Sequence, residues 1–214
     1  MNIGVYGGTF NPIHFGHLRT AEEIRQRFAL REIIFVPSAQ PPHKRSPEII
    51  DGSHRLKMVT LAVTGNPVFS ASDIEVRRGG KSYSLDTLRE LKKLHPESTL
   101  AFICGLDAFL EIDTWYRYQQ LFSEADFIVT TRPGARRVAL AKAIPAAIRA
   151  EFKRQGRSEV FVHSSGKTLT FTAVTGLDIS STLVRRFVRE GFSPRYLIPR
   201  RVGEYITEHH LYQK

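Results

Sequence analysis

Apolar residues recur along this chain with two periods that alternate. Short β-compatible runs fall at 2–6, 32–36, 99–104 and 126–130, and after each comes a stretch whose apolar positions return every three or four residues, at 16–29, 53–64, 84–94 and 115–122. In the first of these, Leu18, Ala21, Ile24 and Phe28 line one helix face. Strands that alternate with helices predict βαβ units, and so an α/β fold with a doubly wound, mostly parallel sheet and helices on both faces. A helical stretch from about Val138 to Arg154 leads to two further β-rich runs, Val160–His163 and Leu169–Thr172, followed by helical patterns at 180–190 and 199–210. The second of these patterns, with Val202, Tyr205, Ile206, His209 and Leu211, reads as a packing helix. With no internal repeat and no low-complexity linker, the expected organisation is a single domain over 1–214 with a helical extension from about 180 to 214.

Between the first strand and the first helix stand Gly7-Gly8-Thr9-Phe10-Asn11-Pro12-Ile13-His14-Phe15-Gly16-His17. A strand–loop–helix of this kind delivers its loop to a helix N-terminus, where unpaired N–H groups and the positive end of the dipole favour anions, and glycines let a phosphate approach the backbone. His14 and His17, three residues apart, can both face that anion. Neither the GxGxxG of a dinucleotide fold nor a Walker GxxxxGK[ST] is present. In an open parallel sheet ligands bind beyond the carboxyl ends of the strands, near the switch in strand order. That rule gathers the Gly7–His17 loop, the end of the second strand, Gly105-Leu106-Asp107 and the loop before Ser180 into one crevice. After the second strand, Pro37-Ser38-Ala39-Gln40-Pro41-Pro42-His43-Lys44-Arg45 is a proline-stiffened loop that would aim Lys44 into it. Ser180 and Ser181 are N-cap candidates for the next helix, with Arg185 about one turn on.

Composition narrows the context. With 42% hydrophobic and 24% charged residues the chain is ordinary for a globular protein, and no apolar run approaches the roughly 18 residues a membrane span needs. No membrane partner is expected, and cytoplasm is the expected location. The 31 Lys and Arg against 21 Asp and Glu give a net charge of +10, but the basic residues fall in separate pairs such as Arg77-Arg78 and Arg185-Arg186. That scatter reads as solvated surface rather than a nucleic-acid-binding stripe. The single Cys104 lies in an apolar run and is expected to be a buried, inert thiol. His209-His210 lack Cys, Asp or Glu partners at ligand spacing, so no protein-built metal site is expected.

The loop pattern GxFxPxHxGH resembles the signature of the nucleotidyltransferase superfamily, and Ile179-Ser180-Ser181-Thr182-Leu183-Val184-Arg185 resembles its ISSTxxR segment. Within that superfamily three inner segments are similar to the bacterial nicotinate mononucleotide adenylyltransferases. They are Pro41-Pro42-His43-Lys44, Ser82-Tyr83-Ser84-Leu85-Asp86-Thr87-Leu88 (SYTxxTL), and Gly105-Leu106-Asp107 through Trp115 (GxDxxxxxxxW). Serine at position 84 departs from the family's usual threonine.

The resemblance implies a Rossmann-like fold and transfer of AMP from ATP to nicotinate mononucleotide in NAD biosynthesis. Other acceptors, nicotinamide mononucleotide or phosphopantetheine, are the alternative within the class, and a basic nucleic-acid-binding protein is the rival outside it. Carried over position by position, it implies catalytic roles for His14, His17, Lys44 and Arg185, which would supply a positive field around the phosphates. ATP would meet Gly7, Gly8, Thr9, Phe10, His14, His17, Lys44, Gly105, Asp107, Ile179, Ser180 and Arg185. The acceptor would meet Ser84, Thr87, Trp115, Tyr116 and Arg132, with Trp115 as stacking platform and the Ser84 and Tyr116 backbones as donors. Mg²⁺ held mainly by the ATP phosphates is the implied cofactor, and the oligomeric state, homo-oligomer included, stays open. An acceptor phosphate with a second pKa near ~6 is already ionised at neutral pH, so direct in-line transfer needs no general base and no covalent intermediate.

Overall fold

The computed structural model describes residues 2–41, 48–131, 137–156 and 158–213, and for 137–139 the backbone alone. Its elements run β1 (Asn2–Gly8), α1 (Phe15–Arg27), β2 (Glu32–Pro37), α2 (Gly52–Val63), β3 (Phe69–Ala71), α3 (Ile74–Arg78), α4 (Ser84–Leu94), β4 (Thr99–Gly105), α5 (Leu106–Phe109), α6 (Tyr118–Glu124), β5 (Asp126–Thr131), α7 (Arg137–Ala143), β6 (Phe152–Arg154), β7 (Val160–His163), β8 (Thr168–Ala173), α8 (Ser181–Arg189) and α9 (Arg200–Glu208).

Eight strands form one sheet in the order β3-β2-β1-β4-β5-β8-β7-β6. The first six pair in parallel, and β7 and β6 add an antiparallel edge. The order reverses between β1 and β4, so the crevice at their carboxyl ends is the switch point of a doubly wound sheet, as the alternation of periods predicted.

The two-residue period of the strands sorts the core onto two faces. Ile3 and Val5 of β1, Ile34 and Val36 of β2, and Leu100, Phe102 and Cys104 of β4 face one side, where they meet Leu85, Leu88 and Leu91 of α4 and Leu121 and Phe122 of α6. Ile33 and Phe35 of β2, with Ala101 and Ile103 of β4, face the other, under Ala21 and Ile24 of α1, Met58 and Val59 of α2, Val184 of α8 and Val202 and Ile206 of α9. Gly4 belongs to this close packing, since a Cβ there would sit 2.4 Å from the tip of Ile33. The two tail helices thus complete the layer begun by α1 and α2.

Two expectations are corrected. The helical stretch from about Val138 to Arg154 is three pieces: α7, a 3₁₀ turn over Ala146–Glu151 and the strand β6. Pro145 explains the break, because it has no N–H to continue the helix and disfavours the α conformation of the residue before it. The helix expected at 115–122 begins three residues later, at Tyr118, behind Arg117 in the left-handed region (φ 49°). Trp115 is therefore extended loop (φ −78°, ψ 144°), which turns it toward the crevice. The short elements β3, α3 and α5 carry too few residues to show a period.

Candidate active site

The loop between β1 and α1 is shaped by small residues and by one aromatic. Phe10 takes a left-handed backbone (φ 46°) and is buried, and its ring covers Gly8, where a Cβ would come within 2.9 Å of the ring. The Asn11–Pro12 peptide is cis. His14 then caps α1 in an extended conformation (φ −147°, ψ 170°). Its ring lies over Gly16, whose missing Cβ would meet Nδ1 at 2.9 Å. His17, one turn into α1, stacks on His14 with ring centroids 3.7 Å apart at 30° and accepts the His14 backbone N–H at Nδ1 (3.3 Å). Phe10 meets His17 edge-on at 5.1 Å. The sequence expectation that both histidines present themselves together holds.

The expected positive charge does not stand on His14. Burial pulls the His14 pKa down from 6.5 to about 4, so this imidazole is neutral at pH 7 and serves as a hydrogen-bonding group rather than a standing positive charge. Its Nδ1 is buried with no hydrogen-bond partner among the described residues. A buried nitrogen left unpaired at the mouth of a crevice is costly unless a ligand or water meets it.

Two cavities adjoin at this point. One, about 480 Å³, is lined by Tyr6, His14, Gly16, His17, Thr20, Gly105, Asp107, Thr130, Thr175, Leu177 and Ile179, among others. The second, about 200 Å³, is lined by Gly7, Gly8, Thr9, Ser38, Pro41, Glu75, Ser82, Tyr83, Ser84, Thr87, Phe102, Gly105, Trp115 and Tyr116, among others. Gly105, at the end of β4, borders both. Asp107 stands exposed in the first turn of α5 on the larger side.

In the smaller cavity Trp115 is half-buried, its ring edge-on to Phe102 at 6.0 Å, while Tyr116 is exposed and lies against Tyr83 at 4.5 Å. A flat, partly exposed indole beside an aromatic pair is a surface on which a planar ring can stack. Ser84 opens α4, so its backbone N–H points out of the helix start as a free-turn donor. Thr87 is fully buried and its hydroxyl donates to Glu75 Oε1 (2.6 Å) while accepting from Arg78 (2.9 Å). It borders the cavity with its hydroxyl already engaged. Burial raises the Glu75 carboxyl above the usual range, against the opposing hydrogen bonds of Thr87 and Ser82.

Ser180 and Arg185 take other positions. Ser180 caps α8 by accepting the Leu183 N–H (3.1 Å), and Ser181 Oγ donates to the Pro12 carbonyl (2.8 Å). Arg185 donates to the Asn11 carbonyl (2.9 Å) and pairs with Glu48 (2.7 Å), which also holds Arg189 (2.9 Å). It grips the motif loop from behind, outside both cavity linings. Lys44 and Arg132 lie outside the described residues.

Sequence reasoning missed the groups that hold the loop. Arg55 of α2 is completely buried and donates to three carbonyls, those of Thr9 (2.8 Å), Ala39 (2.8 Å) and Ile50 (2.9 Å). It joins the motif loop to the loop after β2 and to the approach to α2. Asn11, also buried, donates to the Glu48 carbonyl (2.9 Å) and accepts from Tyr212 Oη (2.9 Å) and the Ile50 N–H (3.4 Å). An arginine in the first turn of an amphipathic helix carries no local sign of this. The Cys104 expectation holds: the thiol is buried and pushed up to about 12 by burial.

A doubly wound sheet whose switch point carries a glycine loop, stacked imidazoles at a helix start and two joined cavities defines a nucleotide-binding α/β protein with room for two ligands. Comparison with known proteins specifies it further. The family described as Cytidylyltransferase-like matches residues 5–187. A probable nicotinate-nucleotide adenylyltransferase of Geobacter metallireducens is 47% identical over 212 residues, covering 99% of this chain and 98% of that protein, and one of Pelobacter propionicus is 42% identical over 214 residues, covering 100% and 99%. In fold, the chain is similar to a solved Plasmodium falciparum nicotinic acid mononucleotide adenylyltransferase complexed with NaAD, with TM-score 0.73 and 23% identity over 99% of this chain and 97% of that one. The chain belongs to the cytidylyltransferase-like family and, within it, to the nicotinate-nucleotide adenylyltransferases.

Proposed function

We infer that this chain transfers the adenylyl group of ATP to the phosphate of nicotinate mononucleotide, releasing pyrophosphate and forming nicotinate adenine dinucleotide, a step of NAD biosynthesis. The observation that carries this reading is the pair of cavities that meet at Gly105. One offers imidazoles and a helix start to phosphates, and the other offers an indole and the start of α4 to a small planar ring with a carboxylate.

On this reading ATP occupies the larger cavity with its phosphates against His14, His17 and the first turn of α1, and with Gly105, Asp107 and Ile179 around the nucleoside. The acceptor occupies the smaller cavity, its pyridine on Trp115 and its carboxylate toward the Ser84 and Tyr116 backbones. The acceptor phosphate is dianionic near neutral pH, so the chain's task is to bring two polyanions into line and to stabilise the departing pyrophosphate. A phosphate placed beside His14 favours the protonated ring, so its positive charge arrives with the substrate. Lys44, Arg132, Ser180 and Arg185 are proposed from sequence as further phosphate and acceptor contacts. For Arg185 to reach a phosphate it must exchange its bond to Glu48 for one to ATP.

Among the described residues no group of three His, Cys, Asp or Glu side chains is arranged to hold a metal. Mg²⁺, held mainly by the ATP phosphates, is proposed to enter with the substrate as MgATP. Pyrophosphate release with ATP and, in parallel, nicotinate mononucleotide, nicotinamide mononucleotide and phosphopantetheine tests the reading. Fastest release with nicotinate mononucleotide is expected, and no release with either pyridine nucleotide overturns it.

A further inference from the structure

The loop that carries the two histidines is held at successive atoms from its far side. Arg55 takes the Thr9 carbonyl, Arg185 the Asn11 carbonyl and Ser181 the Pro12 carbonyl. A further anchor lies 201 positions away in sequence: Tyr212 Oη donates to Asn11 Oδ1 at 2.9 Å. We propose that Tyr212 is a positioning residue that latches the histidine loop through the Asn11 side chain, setting the placement of His14 and His17 for adenylyl transfer.

Four observations carry it. Asn11 is buried and its amide makes three contacts to two segments: Nδ2 on the Glu48 carbonyl and Oδ1, at 3.4 Å, on the Ile50 N–H before α2, and Oδ1 on Tyr212 after α9. Without the phenol, Oδ1 keeps only that long contact among the described residues, and a buried amide so placed turns or shifts to find another donor. Second, the same residue's carbonyl receives Arg185, so a shift of Asn11 reaches α8 as well as the loop. Third, the segment after α9 is held in an unfavourable form to deliver the phenol. His210 (φ 52°) and Tyr212 (φ 63°) both adopt the left-handed region, which costs an L-residue free energy and persists only where surroundings enforce it. Leu211 between them is buried in the layer under α2 and α9 and acts as the pin. Fourth, burial raises the Tyr212 hydroxyl above the ordinary phenol range, against the opposing pull of Arg185 and Arg55. The group thus stays a proton donor throughout the working pH range.

The kinetic part of the proposal rests on the adenylyltransferase reading, and the exchange part does not. In the whole 214-residue chain, Tyr212→Phe keeps the ring and removes the donor. Amide hydrogen exchange over residues 9–17 is expected to quicken by about fivefold or more, while β4 stays unchanged. In steady state kcat is expected to fall by about fivefold, the loss of one hydrogen bond, with the acceptor KM within twofold because the Trp115 cavity is untouched. Phe161→Leu, a buried position on β7 near the antiparallel edge of the sheet and outside both cavity linings, serves as the structural control. It should lower thermal stability and yet, below its melting range, retain kcat. Unchanged exchange over 9–17 in Tyr212→Phe, a kcat within twofold of wild type, or an equal kcat loss in Phe161→Leu overturns the latch. Failure of the wild type to form dinucleotide strikes the functional reading instead, and the exchange comparison still decides the latch.

Discussion

Replacing Arg55 with methionine removes a completely buried guanidinium that makes three charge-assisted bonds of 2.8, 2.8 and 2.9 Å to the Thr9, Ala39 and Ile50 carbonyls. Each buried carbonyl left without a donor costs about 1–3 kcal/mol. Against this, the variant is relieved of burying a cation, a cost visible in the pKa of Arg55, which burial lowers and Asp51 and Glu75 help to restore. The difference comes to about 3 kcal/mol, which for a chain of this length lowers Tm by roughly 6–12 °C. Arg55→Lys keeps the charge but reaches fewer of the three carbonyls, and should lose about 2 kcal/mol. Thermal unfolding of wild type and both variants, followed by circular dichroism, measures the ranking. A Tm within about 2 °C of wild type for Arg55→Met would refute the view that this arginine staples the motif loop to the two loops beside it.

Acid should weaken the fold through His14. Its native pKa of about 4 lies below the unfolded value of 6.5, so the unfolded chain binds the extra proton and stability falls as pH drops through that window. The loss amounts to about 3 kcal/mol and should be missing in His14→Gln; equal pH slopes for the two proteins between 6.5 and 4 would contradict it. His17→Ala should lower kcat by at least about 10²-fold, as removal of a transition-state charge contact does, and near-normal turnover in the folded variant would dismiss that role. Trp115→Ala should raise the acceptor KM while leaving the ATP KM near its starting value, and an unchanged acceptor KM would remove the indole from the acceptor site.

What was legible in the sequence is what a local period or a contiguous motif encodes. The alternation of β1, β2, β4 and β5 with their helices was readable because each strand buries both faces and each long helix buries one, and α4 was placed at its observed limits, Ser84–Leu94. The glycine loop was readable because its constraints are met within ten residues of chain. Pairings across distance were not. Tyr212 and Asn11 stand 201 positions apart, and Arg55 satisfies carbonyls 46, 16 and 5 positions away. Nothing in the local pattern around either donor differs from an ordinary exposed tyrosine or arginine. The charge state of His14 was misread for a related reason, since burial is a property of the packed loop and not of the motif. Lys44 and Arg132 were named from motifs alone, and their test lies in kinetics.

On the proposed reading, the two cavities meeting at Gly105 bring ATP and the acceptor phosphate together for direct displacement at the α-phosphorus. Turnover of nicotinate mononucleotide with ATP carrying a chiral thiophosphate at that phosphorus tests it most directly. One in-line displacement gives the dinucleotide with inverted configuration. Retention, which requires two displacements and an adenylylated intermediate on the protein, would contradict it.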